Sequence, residues 1–217
     1  MIELNSSDAK VLKSNWRPRF APPDASEVSA AAGRWFADVE RTGRARLEDP
    51  VLLRHLVWCA VERALPIQFH VGYGDPELNL ARCDPLHLTD FLKVVRPRRV
   101  PVMLLHNYPF QRNAGYLAQV FPDVYFDVGL GVNYTGARSV AVVRESLELA
   151  PFAKILFSTD AWGLAELHYL GAQLWRRAMV AALSGFVAQD EWSAPDAVRV
   201  ATMIGVENAR RVYGLRP

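Results

Sequence analysis

The sequence predicts an α/β fold in which a parallel sheet is covered by helices, and three observations predict it. Nearly continuous apolar runs recur at residues 65–69, 102–105 and 155–159, and runs of that length bounded by turn residues read as strands buried on both faces. The segments between them carry helix caps and apolar residues at helical spacing. The connections are short, and strand, helix, strand in that order calls for right-handed crossovers within one sheet.

Each element has its own signal. Asp49-Pro50 has the form of an N-cap followed by proline in the first turn. The helix it opens runs to about residue 64, with Leu52, Leu56, Cys59 and Ala60 on one stripe. The strand at 65–71 ends around His70. Asp84-Pro85 repeats the cap before a helix over 86–95, which Pro97 ends. The strand at 101–107 leads into a helix over 113–120, and the strand at 124–128 is closed by Gly129 and Gly131. Helices follow at 137–149 and 164–187, the latter carrying Leu167, Leu170, Leu174, Met179 and Leu183. Between them a fourth strand spans 154–160, and Ser193 to Asp196 forms a capping box for the closing helices. A weaker strand signal lies at 11–15, and residues 21–26 read as a loop or short linker.

That count sets the architecture. A closed eight-stranded barrel takes about 250 residues, whereas this chain has 217 and no room for three more strands. The expectation is a partial TIM-type (β/α) barrel: residues 1–46 form an N-terminal segment with a candidate strand and a loop or helix, and residues 47–217 form the C-terminal half. A half-sheet with open edges predicts a homo-oligomer, or cover from the N-terminal segment or from a missing barrel half.

Composition excludes several classes. Hydrophobic residues make up 51% and charged residues 22%, as in a globular protein. A formal charge of +2, with no basic cluster among aromatics, argues against nucleic acid. No apolar segment reaches the roughly 18 residues of a membrane span, and residues 1–13 lack the apolar stretch of a signal peptide. Cys59 and Cys83 stand far apart without CxxC spacing. A cytoplasmic protein acting on a small molecule is the expectation.

The chemistry concentrates at strand ends. His70, His106 and Asp160 each close an apolar run, and the C-terminal ends of parallel barrel strands converge on one mouth. Taken singly, each has an ordinary reading: a satisfied interior histidine, a turn residue, an N-cap. Taken together, two of them can bind one cation while the third stands over the substrate, which is the arrangement of metal-assisted hydrolysis. His55, His87 and His168 fall on helices and read as packed or surface residues. No serine sits in a G-x-S-x-G elbow, and Gly72-Tyr73-Gly74 is too short for a dinucleotide loop. Tyr73, Arg112 and Asn133 follow strand ends and are candidate pocket residues.

Residues 65–75, the run from Leu105 through Phe110 with Arg112 to Leu117, and Ser158 to Ala161 resemble the amidohydrolase-related metal-dependent hydrolases, in the branch also found fused to glutamine-synthetase-like domains. The closing segment 207–215 resembles that family's last helix, and residues 11–14 resemble its fourth strand. The resemblance covers about 47–215 and implies barrel strands four to eight around one divalent metal, usually zinc. It implies that His70 is a metal ligand, that His106 polarises the substrate or attacking water, and that Asp160 contacts the metal and acts as general base. Arg112 and Tyr73 become candidate substrate contacts, and Lys13 falls where some relatives carry a carbamylated lysine. The family's first-strand His-x-His pair has no counterpart here; His55 alone precedes His70 among the histidines. Three expectations follow: a hydrolase of an amide-like C–N bond, a nonoxidative decarboxylase or lyase, or an inactive half-barrel.

Overall fold

The computed structural model describes residues 2–4, 20–74, 76 and 78–215. The expected strand at 11–15, with Lys13, lies outside them. A four-stranded parallel sheet runs in chain order through β1 (Ile2–Leu4), β2 (Ile67–Val71), β3 (Val102–His106) and β4 (Val124–Phe126). Ile67 pairs with Ile2 on one side and Val102 on the other, and Val102 pairs with Val124, so the strands start level.

The apolar run at 154–160 does not extend the sheet as a strand, contrary to the sequence expectation. It touches β4 through a single parallel bridge, Phe126 to Ile155, where the Leu156 amide donates to the Phe126 carbonyl at 2.8 Å. Beyond that point the Phe157 amide turns to the Ile204 carbonyl at 3.1 Å, so the chain leaves the sheet toward the closing helices.

The helices are α1 (Ala25–Thr42), α2 (Pro50–Glu62), α3 (Thr89–Val95), α4 (Gln111–Val120), α5 (Gly129–Thr135), α6 (Ser139–Ser146), α7 (Ala165–Ala188), α8 (Ala194–Thr202) and α9 (Asn208–Tyr213). Asp49 caps α2 through the amides of Val51 and Leu52, and Ser193 caps α8 through the amide of Asp196, as the sequence predicts. Asp84 caps a single 3-10 turn, Pro85–Leu88, before α3 begins. Two boundaries differ from expectation. Asp24 caps α1 with a full capping box inside the segment read as linker. Gly129 and Gly131 do not merely close β4 but belong to α5.

The core fills the space between sheet and helices. Ile67, Phe69 and Val71 alternate with the half-buried Gln68 and His70, as a strand with one face packed against helices must. Phe69 meets Phe91 of α3 edge-on, with ring centroids 5.6 Å apart, and truncating either ring would cost about 3–5 kcal/mol. On α2 the buried apolar residues are Leu52, Leu53, Val57, Trp58, Ala60 and Val61, while Leu56 of the expected stripe is 40% exposed. Among the described residues, no helix is long and apolar enough to cross a membrane.

Candidate functional site

The register of β2 and β3 explains why one of the two histidines needs special backbone. His70 pairs with Leu105, and His106 pairs with Val71. Paired residues of parallel strands share a face, so a regular strand would send His106 toward the helices with Val71. Instead His106 and Asn107 take left-handed backbone, φ 73° and 59°, conformations in which non-glycine residues signal a functional constraint. The turn brings His106 Nε2 to 2.8 Å from His70 Nδ1. Asp160 also has positive φ, 49°, and its Oδ2 lies 3.6 Å from His106 Nδ1. The structure therefore gathers the three residues into a chain, with the buried His106 between His70 and Asp160.

Two residues that sequence reasoning missed hold this turn. Asp127, just past β4 and 3% exposed, accepts the amides of His106 at 3.1 Å and Gly129 at 3.0 Å on one oxygen. Asn107, fully buried, donates its side-chain amide to the carbonyls of Leu104 at 2.6 Å and Asp127 at 2.8 Å. A polar residue ending the run at 124–126 was the available signal for Asp127, and the position directly after His106 was the signal for Asn107. Gly72 completes the support. Its φ is 76°, and a Cβ there would stand 2.5 Å from the Tyr108 carbonyl oxygen and 2.8 Å from the Asn107 carbonyl carbon, so only glycine lets these two loops touch.

A cavity of about 610 Å³ opens on this cluster, lined by Gln68, Leu105, His106, Asp127, Asp160 and Tyr213 among others. Tyr213 of α9 accepts a hydrogen bond from Gln68 at 2.6 Å, which fastens the closing helix over the sheet. Tyr73 lines a neighbouring cavity with Tyr108 and Tyr134. Arg112 lies outside both cavities; its guanidinium holds Glu148 at 2.7 and 3.0 Å and Glu145 at 3.3 Å. The hydrogen bond with Glu148 raises the Arg112 pKa and lowers that of Glu148. Asn133 donates to the Thr159 carbonyl, beside Asp160.

The donor set suits a divalent cation in kind: imidazole nitrogen and carboxylate oxygen are what zinc takes. In number it does not close a site. Among the described residues no three His, Cys, Asp or Glu side chains stand as a metal-binding group, because Asp160 approaches the ring nitrogen of His106 opposite the one facing His70.

A parallel sheet whose carboxyl edge gathers two imidazoles and a carboxylate beside a cavity has the layout of the hydrolases and lyases built from βα units. The chain belongs to the amidohydrolase family, whose model, Amidohydro_2, matches residues 19–215. It is 34% identical over 152 residues to protein fluG of Emericella nidulans, a likeness covering 69% of this chain and 17% of that protein. Its fold is similar to the crystal structure of a Lactobacillus casei protein inferred to be a metal-dependent hydrolase, with a TM-score of 0.79 and 31% identity over 89% of this chain and 51% of the other. The chain thus spans about half the length of that solved relative and about a sixth of fluG.

Proposed function

We propose that this chain forms the C-terminal half of a TIM-type (β/α) barrel, about strands four to eight, and serves as a metal-dependent hydrolase of an amide-like C–N bond. The observation that carries the reading is the meeting of His70, His106 and Asp160, the latter two lining one cavity, achieved through left-handed backbone at two of the three. His70 and Asp160 are the residues that would hold a divalent ion, zinc by preference, once the contacts that set them at opposite nitrogens of the His106 ring give way, with further ligands from outside the described residues. Such an ion, when bound, polarises a carbonyl and lowers the pKa of its water toward about 7.

The chain's own residues supply the proton handling. The Asp160 carboxylate stands 3.6 Å from His106 Nδ1, and a proton kept on that nitrogen would leave Nε2 as an acceptor. His70 Nδ1, 2.8 Å from Nε2, would then be the donor. When the pair parts to admit substrate, His106 Nε2 is the atom placed to take a proton or to steady a polarised oxygen. Asp127 and Asn107 keep the ring at the mouth by fixing its backbone. The flank past β4, met among the described residues by a bridge at Ile155 alone, supports work as a homo-oligomer or with a complementary barrel half. A cytoplasmic protein acting on a small molecule completes the proposal.

The test is metal analysis of the purified chain alongside turnover of an amide panel. Near-stoichiometric zinc with amine release supports the reading, and release of CO₂ instead would move it to the decarboxylase class. His106→Ala should lower kcat at least about 100-fold with metal content unchanged; loss of metal would make His106 a ligand. Absence of both metal uptake at micromolar supply and turnover would refute the proposal.

A further inference from the structure

Beside the catalytic mouth lies a second cavity of about 620 Å³, lined by Tyr73, Tyr108, Gln111, Tyr134, Arg138 and Glu145 among others. It is built on the same strand ends: Tyr73 follows His70 by three positions and Tyr108 follows His106 by two, and the Tyr73 amide donates to the Tyr108 carbonyl at 2.6 Å. Gly131 of α5 leaves room for Tyr108, since a Cβ there would approach the tyrosine Cβ to 3.0 Å.

Three features say what this cavity would hold. Its walls are aromatic, with the Tyr73 and Tyr134 rings 5.5 Å apart and Tyr134 70% exposed; such rings favour a flat partner. Gln111 is 4% exposed and donates its side-chain amide to the Glu145 carboxylate, which fixes the amide's orientation because a carboxylate only accepts. Its Oε1 is thereby left buried with no hydrogen-bond partner among the described residues. A buried acceptor left unmatched costs about 1–3 kcal/mol, and of the several such groups among the described residues Gln111 is the one that lines this cavity, so its Oε1 marks a place for an N–H or O–H. Arg138 lines the cavity, is exposed, and has no ion pair among the described residues. The acid beside it, Glu145, is already engaged by Arg112 and Gln111. A guanidinium so placed is suited to a carboxylate, which it binds in a planar fork.

We propose that this cavity is the specificity pocket of the enzyme and selects a flat, carboxylate-bearing amide: Arg138 receives the carboxylate, Gln111 Oε1 accepts the amide N–H, and the tilted Tyr73–Tyr134 pair forms the apolar wall on which the planar group rests. That the ligand is a substrate rests on the hydrolase reading; the chemistry of the pocket does not.

Calorimetric titration of the full chain with three probes tests it: N-benzoylglycine, N-methylbenzamide lacking the carboxylate, and O-benzoylglycolate lacking the N–H. N-benzoylglycine should bind at least about tenfold tighter than either analogue, the difference one well-placed polar contact makes. Arg138→Gln should erase the preference over N-methylbenzamide, and Tyr134→Ala should weaken all three; both positions are exposed, so the variants keep the fold. No binding of N-benzoylglycine up to millimolar concentration, equal binding of the three, or an unchanged preference in Arg138→Gln would overturn the proposal. The two readings fail separately. Arg138-dependent binding without any amide cleavage sinks the hydrolase and leaves the pocket standing, while cleavage with kcat/KM indifferent to Arg138→Gln does the reverse.

Discussion

Replacing Asp127 by alanine should destabilise the protein more than any other single change at the site. One oxygen of this carboxylate accepts two backbone amides, those of His106 and Gly129, at 3.1 and 3.0 Å, with the residue 3% exposed. Hydrogen bonds to a charged partner are worth about 1.5–3 kcal/mol each, so the pair is worth about 3–6 kcal/mol. Asp127 also lines the 610 Å³ cavity, and water entering from it would relieve part of the loss. The expected cost is therefore about 3 kcal/mol, a large share of a typical stability of about 5–15 kcal/mol. Asp127→Asn keeps an oxygen for both amides and gives up the charge, so it should cost about 1–2 kcal/mol. Urea unfolding followed by tryptophan fluorescence gives both values, provided the m-values match. A cost for Asp127→Ala under about 1 kcal/mol would refute the claim that this carboxylate holds the His106 turn. Equal costs for the two variants would show that the charge matters rather than the acceptor.

Other outcomes follow from the same contacts. Gly129→Ala would drive a Cβ to 2.8 Å from the carbonyl carbon and oxygen of Ser158 and should cost about 1–3 kcal/mol or more. Ser158→Ala should not rescue it in thermal unfolding, because the backbone clash remains. The Arg112 hydrogen bond lowers the Glu148 pKa from its ordinary 4.5, so the unfolded chain binds the proton first on acidification. That contribution is complete above about 4.5 and is lost as pH falls through the lower folded value. Arg112→Gln should flatten this acid limb of the stability curve; an unchanged limb would show the pair to be inconsequential. Trp58→Phe removes the indole donor to the Phe20 carbonyl, 2.9 Å away, and should cost about 1 kcal/mol in urea unfolding.

Much of the fold was legible because apolar runs and caps are local signals. β2, β3 and β4 fall within a residue or two of their expected bounds, as does α2 with its Asp49 cap. The run at 154–160 looked the same in sequence yet makes only one bridge at Ile155, because hydrophobicity reports burial and not which edge a segment pairs with. β1 escaped notice since three residues carry too little periodicity to stand out. At the site, His70, His106 and Asp160 were readable as strand ends. Their order in space was not, because the side-to-side position of His106 depends on a φ of 73° that no spacing encodes. Asp127 and Asn107 work through backbone groups, and such partners leave no pattern until the chain has folded.

The contact between Gly72 and the Asn107–Tyr108 peptide has an evolutionary consequence. Two loops that touch through a bare α-carbon cannot lengthen or drift independently, so a change in the length of either would have to be matched in the other. Side chains that face solvent nearby, such as Tyr134 and Arg138, carry no such constraint and can be exchanged without moving either loop.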